Sequence, residues 1–315
     1  MYSYQDVALT EYGDEDTIGQ SVVSMKNRGL NLERMIYHGC RDAGLVPMGF
    51  SPSSSVTGVD LRLFMRDYTY APPQNYFDMP SLARQTLDFV FTPFRGKDVG
   101  IELKESPTDD YGQSQLEWNK SSGWSFMGLH DSFSIEKRNM LKKANAESKI
   151  NQMWKDKPEP KLFGYLKKGL KSTQVSKQDK NLDKNNYKED EYKNDGFISI
   201  IENYYSGKGC PYINIADRGL FYFKSDPLGL KMKFGIPSFR NSIKGGTRLR
   251  FRYKPSGENS YGFNAAMKVY GGMRNSTVNL MDDQFIMDLQ EDAILCSNAP
   301  SVSYTHLTLP TSDLV

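Results

Sequence analysis

The sequence predicts an α+β fold, with a mixed sheet core flanked by helices and followed by a β-rich second region. Three observations carry this. The segment NLERMIYHGCRDAGL has helical spacing, with Leu32, Met35, Ile36 and Cys40 on one face. The segments GVDLRLFMRDYTY and VGIELKE alternate with the period of strands. Beyond residue 195 the chain holds aromatic, alternating stretches such as PYINIADRGLFYF and TRLRFRYK.

Residues 1–30 are mixed and acidic and read as an N-terminal arm. The first helix is expected to start on Asn31, a good N-cap, and to stop at Gly44. A strand follows in GVDLRLFMRDYTY, then a Pro-rich loop in YAPPQNYFDMPS. TLDFVFTPFRGKDVGIELKE reads as a hairpin turning at Arg95, Gly96 and Lys97. QLEWNKSSGWSFMGLHDS suggests a short helix or turn and another strand. SIEKRNMLKKANAESKINQMWKD is helical, with Ile135, Met140, Leu141 and Ile150 as inner positions. The stretch 171–195 is almost free of apolar residues and is expected to be a polar linker or loop. It divides a core at 31–170 from a β-rich region at 196–295. The run VSYTHLTLPT near the C-terminus reads as the in-frame translation of a sequencing adapter. Residues 302–315 are therefore set aside, and the C-terminus is expected to be slightly truncated.

A chain of 315 residues, 38% hydrophobic, can bury a substantial core. Its net charge of +2 is nearly neutral, so a nucleic-acid partner would need a local basic face. Three well-separated cysteines, with no CxxC pair, point to reduced thiols. The polar opening residues lack the form of a secretion signal, and no apolar run approaches bilayer length. A cytoplasmic protein is expected.

The chemistry concentrates on GIELK. In a strand, Glu102 and Lys104 share one face and Ile101 and Leu103 the other. Asp88, on the preceding arm of the expected hairpin, would meet Glu102 at one end of the sheet. Two carboxylates and a backbone carbonyl would make a hard oxygen site for Mg²⁺ or Mn²⁺. A nearby lysine would orient or deprotonate the attacking water, or neutralise a phosphate oxygen. Asp60, in TGVDLRLF, opens a strand of its own and is a rival to Asp88 for the first carboxylate. Glu33 either complements the first helix's dipole or joins the metal shell. Gln113 either bridges to the lysine or to water, or caps a turn. Asp110 is a second supporting group or a turn former. His130 reads as structural, His38 as a surface or partly packed residue of the first helix, and SGKG at 206–209 as a turn, since it lacks the spacing of a phosphate loop. Arg248, Arg250, Arg252 and Lys254 share one face of a strand. They either track a nucleic-acid backbone or form a solvated sheet face.

Asp88 followed by Glu102 and Lys104 resembles the motif of the PD-(D/E)XK nuclease superfamily, although Leu87 stands where a proline usually precedes the aspartate. The longer pattern NLERMIYHGCRDAGL, GIELK, DDYGQSQLEW and PYINIADRGLFYF is similar to phage-encoded endonuclease-like proteins. This resemblance implies a restriction-endonuclease-like core of helix, three strands, helix and strand. It implies DNA as partner, Mg²⁺ (or Mn²⁺) as cofactor, a possible homodimer and the host cytoplasm as location. Asp88 and Glu102 would bind the metal, Lys104 would position water, and Glu33 and Gln113 would support them. A phage structural or assembly protein, and a catalytically inactive fold that binds DNA, are the alternatives.

Overall fold

The computed structural model describes residues 28–47, 49–52, 58–67, 69, 96–127, 132–156, 164, 167, 188–253 and 263–297. Helix α1 (Arg28–Asp42) opens the described chain, earlier than the expected start at Asn31. Its face of Leu32, Ile36 and Cys40 is buried, as the helical spacing requires. Gly44 stops it at φ +72°, with the Leu45 N–H reaching back to the Cys40 carbonyl at 2.9 Å.

Strands β1 (Leu61–Arg66) and β2 (Gly96–Lys104) pair antiparallel, with Leu61 opposite Ile101 and Arg66 opposite Gly96. Gly96 and Lys97 therefore lie inside a strand, not in a hairpin turn. Among the described residues, the antiparallel neighbour of β2 is the Asp60–Arg66 segment. Asp88 and the rest of the expected first arm lie outside the described residues.

β3 (Tyr111–Asn119) and β4 (Gly123–Phe126) follow as a hairpin, where a short helix or turn had been expected before one strand. Helices α2 (Ser132–Lys143) and α3 (Ala146–Asp156) come next. Met140, Leu141 and Ile150 are buried in them, whereas Ile135 is 39% exposed. The end of the polar stretch is not a loop. It forms β5 (Lys188–Lys193), which pairs with a later strand.

Helix α4 (Phe197–Lys208) leads into β6 (Tyr212–Ile215) and β7 (Gly219–Tyr222). Short helices α5 (Leu230–Phe234) and α6 (Phe239–Ser242) precede β8 (Gly246–Tyr253) and β9 (Phe263–Tyr270). Helix α7 (Asp283–Ser297) closes the described chain.

The strands form two sheets, one ordered β1-β2-β6-β7 and one ordered β4-β3-β9-β8-β5. Each sheet draws strands from both sides of residues 171–195. In the first, β6 runs parallel to β2 and places Ile213 beside Glu102. Strand alternation then sorts the side chains. Val99, Ile101, Leu103, Leu61 and Leu63 pack with Leu32 and Ile36 of α1 and Leu289 of α7. On the other face, Ile213, Ile215 and Phe221 join a core shared with α2, α3, α4 and the second sheet.

β2 meets the end of α4 at very close range. A Cβ on Gly100 would collide with the Gly209 carbonyl oxygen and stand 3.3 Å from Cys210 Sγ. Gly209 caps α4 in the left-handed region, φ 84°, where glycine is favoured. Gly100→Ala is therefore expected to lower stability by about 1–3 kcal/mol through overpacking. Urea unfolding of the two proteins checks this, and an unchanged midpoint would contradict the close approach.

Candidate active site

The register of β1 on β2 sets the site. With Leu61 opposite Ile101, Asp60 comes level with Glu102. The Asp60 carboxylate accepts the Leu103 N–H at 2.9 Å, which fixes it over the end of β2. Glu102 points to the face opposite Ile101 and Leu103 and is only 2% exposed. Lys104, two residues on, donates to Glu102 Oε1 at 2.7 Å. Lys208 is delivered from the last turn of α4 and hydrogen-bonds the other oxygen, Glu102 Oε2. Its ammonium also lies 3.8 Å from Asp60 Oδ1 and 5.6 Å from the centre of the Tyr205 ring. Glu102 thus has one lysine on each oxygen, and Lys208 stands between the two carboxylates.

The groups differ in how their charges are held. Burial alone would raise the Glu102 carboxyl, but Lys104 and Lys208 outweigh it and hold the group down at about 2. Burial likewise disfavours both ammoniums, yet Glu102 and Asp60 raise them above the ordinary lysine value. Asp60 is pushed up to about 6, by burial first and then by Glu102. Glu33 on α1 is pushed up to about 7, again by burial first and then by Asp60. Glu102 is therefore a fixed anion at neutral pH, while Glu33 sits close to half-protonation.

The structure brings together Glu102 and Lys104, and Glu33 on α1 lies within the influence of their charges; all three were expected from the sequence. Among the described residues the carboxylate that joins them is Asp60, the rival; Asp88 lies outside them. Lys208 went unrecognised, because SGKG reads as a turn; Ser206–Lys208 are in fact the end of α4, with Gly209 as its cap. Gln113 lies in the second sheet, at the irregularity of β3 between Tyr111 and Ser114. Asp110 pairs with Arg250 and lies 3.7 Å from Lys268.

The basic strand face is a correction in part. Arg250 is 2% exposed and turned onto Asp110, so it is a buried ion-pair partner and not an open cation. Arg248 is half-buried, and the β5 register sets Glu191 opposite Arg250 and Glu189 opposite Arg252. Lys254 and His130 lie outside the described residues. His38 is half-buried on α1, edge-on to Tyr37.

No protein-family model, curated protein or solved structure matches the chain. Among the described residues, no helix is long and apolar enough to cross a membrane.

The shifts fix how stability depends on pH. The contribution from Glu102's depressed value is present above its ordinary 4.5 and is lost as pH falls through about 2. Glu33 and Asp60 act in the opposite sense. Their contributions are complete below 4.5 and 3.8, and are lost as pH rises through about 7 and about 6. Resistance to urea is therefore expected to fall between pH 4.5 and 7. Glu33→Gln is expected to flatten that fall. Unfolding midpoints across this range check it, and an identical slope in the variant would show that Glu33 titrates normally.

Proposed function

We propose that the Asp60, Glu102 and Lys104 cluster hydrolyses phosphodiester bonds of DNA, in a restriction-endonuclease-like core related to the PD-(D/E)XK nucleases. The observation that carries this reading is the buried Glu102–Lys104 pair at the end of β2, with a second carboxylate held level with it across the sheet. Helix α1, the antiparallel pair β1–β2 and, after the intervening β3, β4, α2, α3 and β5, helix α4 and a parallel β6 supply part of the expected core, with two strands of the first sheet before α4 where three are expected. In this reading Asp60 takes the part expected of Asp88.

The donor set suits a hard divalent cation. Asp60 and Glu33 are raised by burial first and then by neighbouring carboxylates, and a cation would relieve the second of these. Among the described residues no group of three or more acidic, histidine or cysteine ligands could hold a metal alone. Asp60 and Glu102 would hold Mg²⁺ or Mn²⁺ where Lys208 now stands between them, so the lysine would have to give way, with water and substrate oxygens completing the shell. When bound, such an ion lowers the pKa of a water and offsets charge on the phosphate.

The chain's own groups have defined parts. Glu102 stays ionised and keeps Lys104 protonated and oriented. Lys104, as an ammonium, aligns the attacking water or neutralises a phosphate oxygen. Glu33, near half-protonation at pH 7, is suited to accept the proton that the water loses. Lys208, between Asp60 and Glu102, holds the two together.

One observation also favours a second reading. Two ammoniums already balance two carboxylates, as in a fold that binds DNA without cutting it. The test is cleavage of duplex, branched and single-stranded DNA in Mg²⁺ and in Mn²⁺. Asp60→Asn, Glu102→Gln and Lys104→Met are each expected to lose about 10²-fold or more in rate. Equal cutting by all forms would place the activity elsewhere. Binding without cutting by the wild type would favour the second reading.

A further inference from the structure

Each carboxylate of the cluster commits one oxygen to the fold and turns the other to Lys208. Asp60 Oδ2 accepts the Leu103 N–H at 2.9 Å, while Asp60 Oδ1 lies 3.8 Å from the Lys208 nitrogen. Glu102 Oε1 takes Lys104 at 2.7 Å, while Glu102 Oε2 takes Lys208. The two remaining oxygens, from separate segments of the chain, therefore meet at one point, and a positive charge fills it. That charge is held away from water, since the Lys208 side chain is only 7% exposed. Anionic oxygens that converge on one cation are also what a hard divalent ion requires.

The two lysines are not equivalent. Lys104 follows Glu102 by two residues on the same strand face, so strand geometry keeps it beside Oε1. Lys208 comes from the last turn of α4, whose end is fixed by Gly209 against Gly100. Its head reaches the carboxylates on a flexible four-carbon stem and is a compact point charge. The head can leave while the helix stays. A divalent ion brings twice the charge to the same two oxygens, but one point cannot hold both cations.

We propose that Lys208 is the resident cation of the site and competes with a divalent metal ion for the place between Asp60 and Glu102. The proposal rests on the reading of these two carboxylates as metal ligands, and it makes metal affinity a property of Lys208. The lysine keeps the buried carboxylates balanced in the folded chain. An incoming ion must then displace an ammonium as well as shed its own water, so Lys208 weakens metal binding.

The test is Mn²⁺ binding at fixed pH, with free Mn²⁺ read by electron paramagnetic resonance. The proteins are wild type, Lys208→Met, Lys104→Met and Lys208→Met combined with Asp60→Asn. Removal of the competing charge is expected to tighten Mn²⁺ binding about tenfold or more in Lys208→Met. Lys104→Met frees the oxygen that does not face Lys208 and is expected to gain less, and Asp60→Asn is expected to abolish the gain. Urea midpoints give a second readout. Lys208→Met unbalances a buried pair and is expected to unfold at lower urea than wild type. Mn²⁺ is expected to restore its midpoint, because an ion that binds only the folded chain stabilises it. If Lys208→Met does not fold, Lys208→Gln, which keeps a donor without the charge, replaces it in both measurements. Equal Mn²⁺ affinity in wild type and Lys208→Met overturns the proposal and leaves Lys208 a structural partner. If wild type then cuts DNA and Glu102→Gln does not, the site reading stands without it. Tighter binding by Lys208→Met, with no DNA cut by any form, supports the exchange and removes the hydrolytic reading. No Mn²⁺ bound by any form overturns both.

Discussion

Glu102 is the charge around which the rest of the structure is arranged. A carboxylate at 2% exposure costs several kcal/mol in lost hydration unless both oxygens are matched. One match is local: Lys104 is on the same strand face and needs no tertiary help to be near. The other, Lys208, must be brought from far along the chain. That requirement accounts for several features at once. The end of α4 has to press against β2, so β2 carries Gly100 where any side chain would strike Gly209. The helix has to end at once to let β6 run parallel beside β2, and Gly209 in the left-handed region does this. Removing either lysine would leave an unbalanced buried charge, which is worse than never having buried the pair.

The second sheet bears on the same point through residues 105–112. The Asp109 carboxylate accepts the N–H groups of Glu105 and Ser106, at 2.9 and 3.1 Å, tightening the turn that leaves Lys104. Asp110 is tied to Arg250 of β8 and lies near Lys268 of β9. The Tyr111 hydroxyl donates back to the Pro107 carbonyl at 3.0 Å while its ring packs edge-on to Tyr205 of α4. Gly112 has φ +62° and admits Met267 and Leu141 where a side chain would not. The DYGQ run is thus the joint between the sheets. Arg250, which sequence alternation offers as a surface cation, holds that joint from the inside.

What could be read from the sequence follows from the range of the interactions. The buried face of α1 and the shared face of Glu102 and Lys104 depend on local periodicity, and both were legible. The partner carboxylate depended on which strand lies beside β2. Asp88 is closer in sequence and lies outside the described residues; among those described, β1 pairs with β2 across the intervening residues, and no local pattern announces that register. Lys208 depended on a contact between distant segments and on recognising SGKG as a helix end. The polar run ending in KEDEYK was misread because it has no apolar alternation. As β5 it lies at the end of its sheet, where charged residues are common, and Glu189 and Glu191 fall opposite Arg252 and Arg250 of β8.

The arrangement also separates two kinds of acid at one place. Glu102 is matched on both oxygens and cannot change its charge near neutral pH. Glu33 and Asp60 are left partly unmatched, and their proton affinity rises toward the range where a protein works. If the cluster served only to hold the sheet to α4, well-packed apolar residues of similar volume would do so at least as well. A buried centre in which one acid is fixed and its neighbours are poised costs stability. That cost has a purpose where charge must be moved or stabilised, and it is the physical ground for reading the end of β2 as a place where chemistry is done.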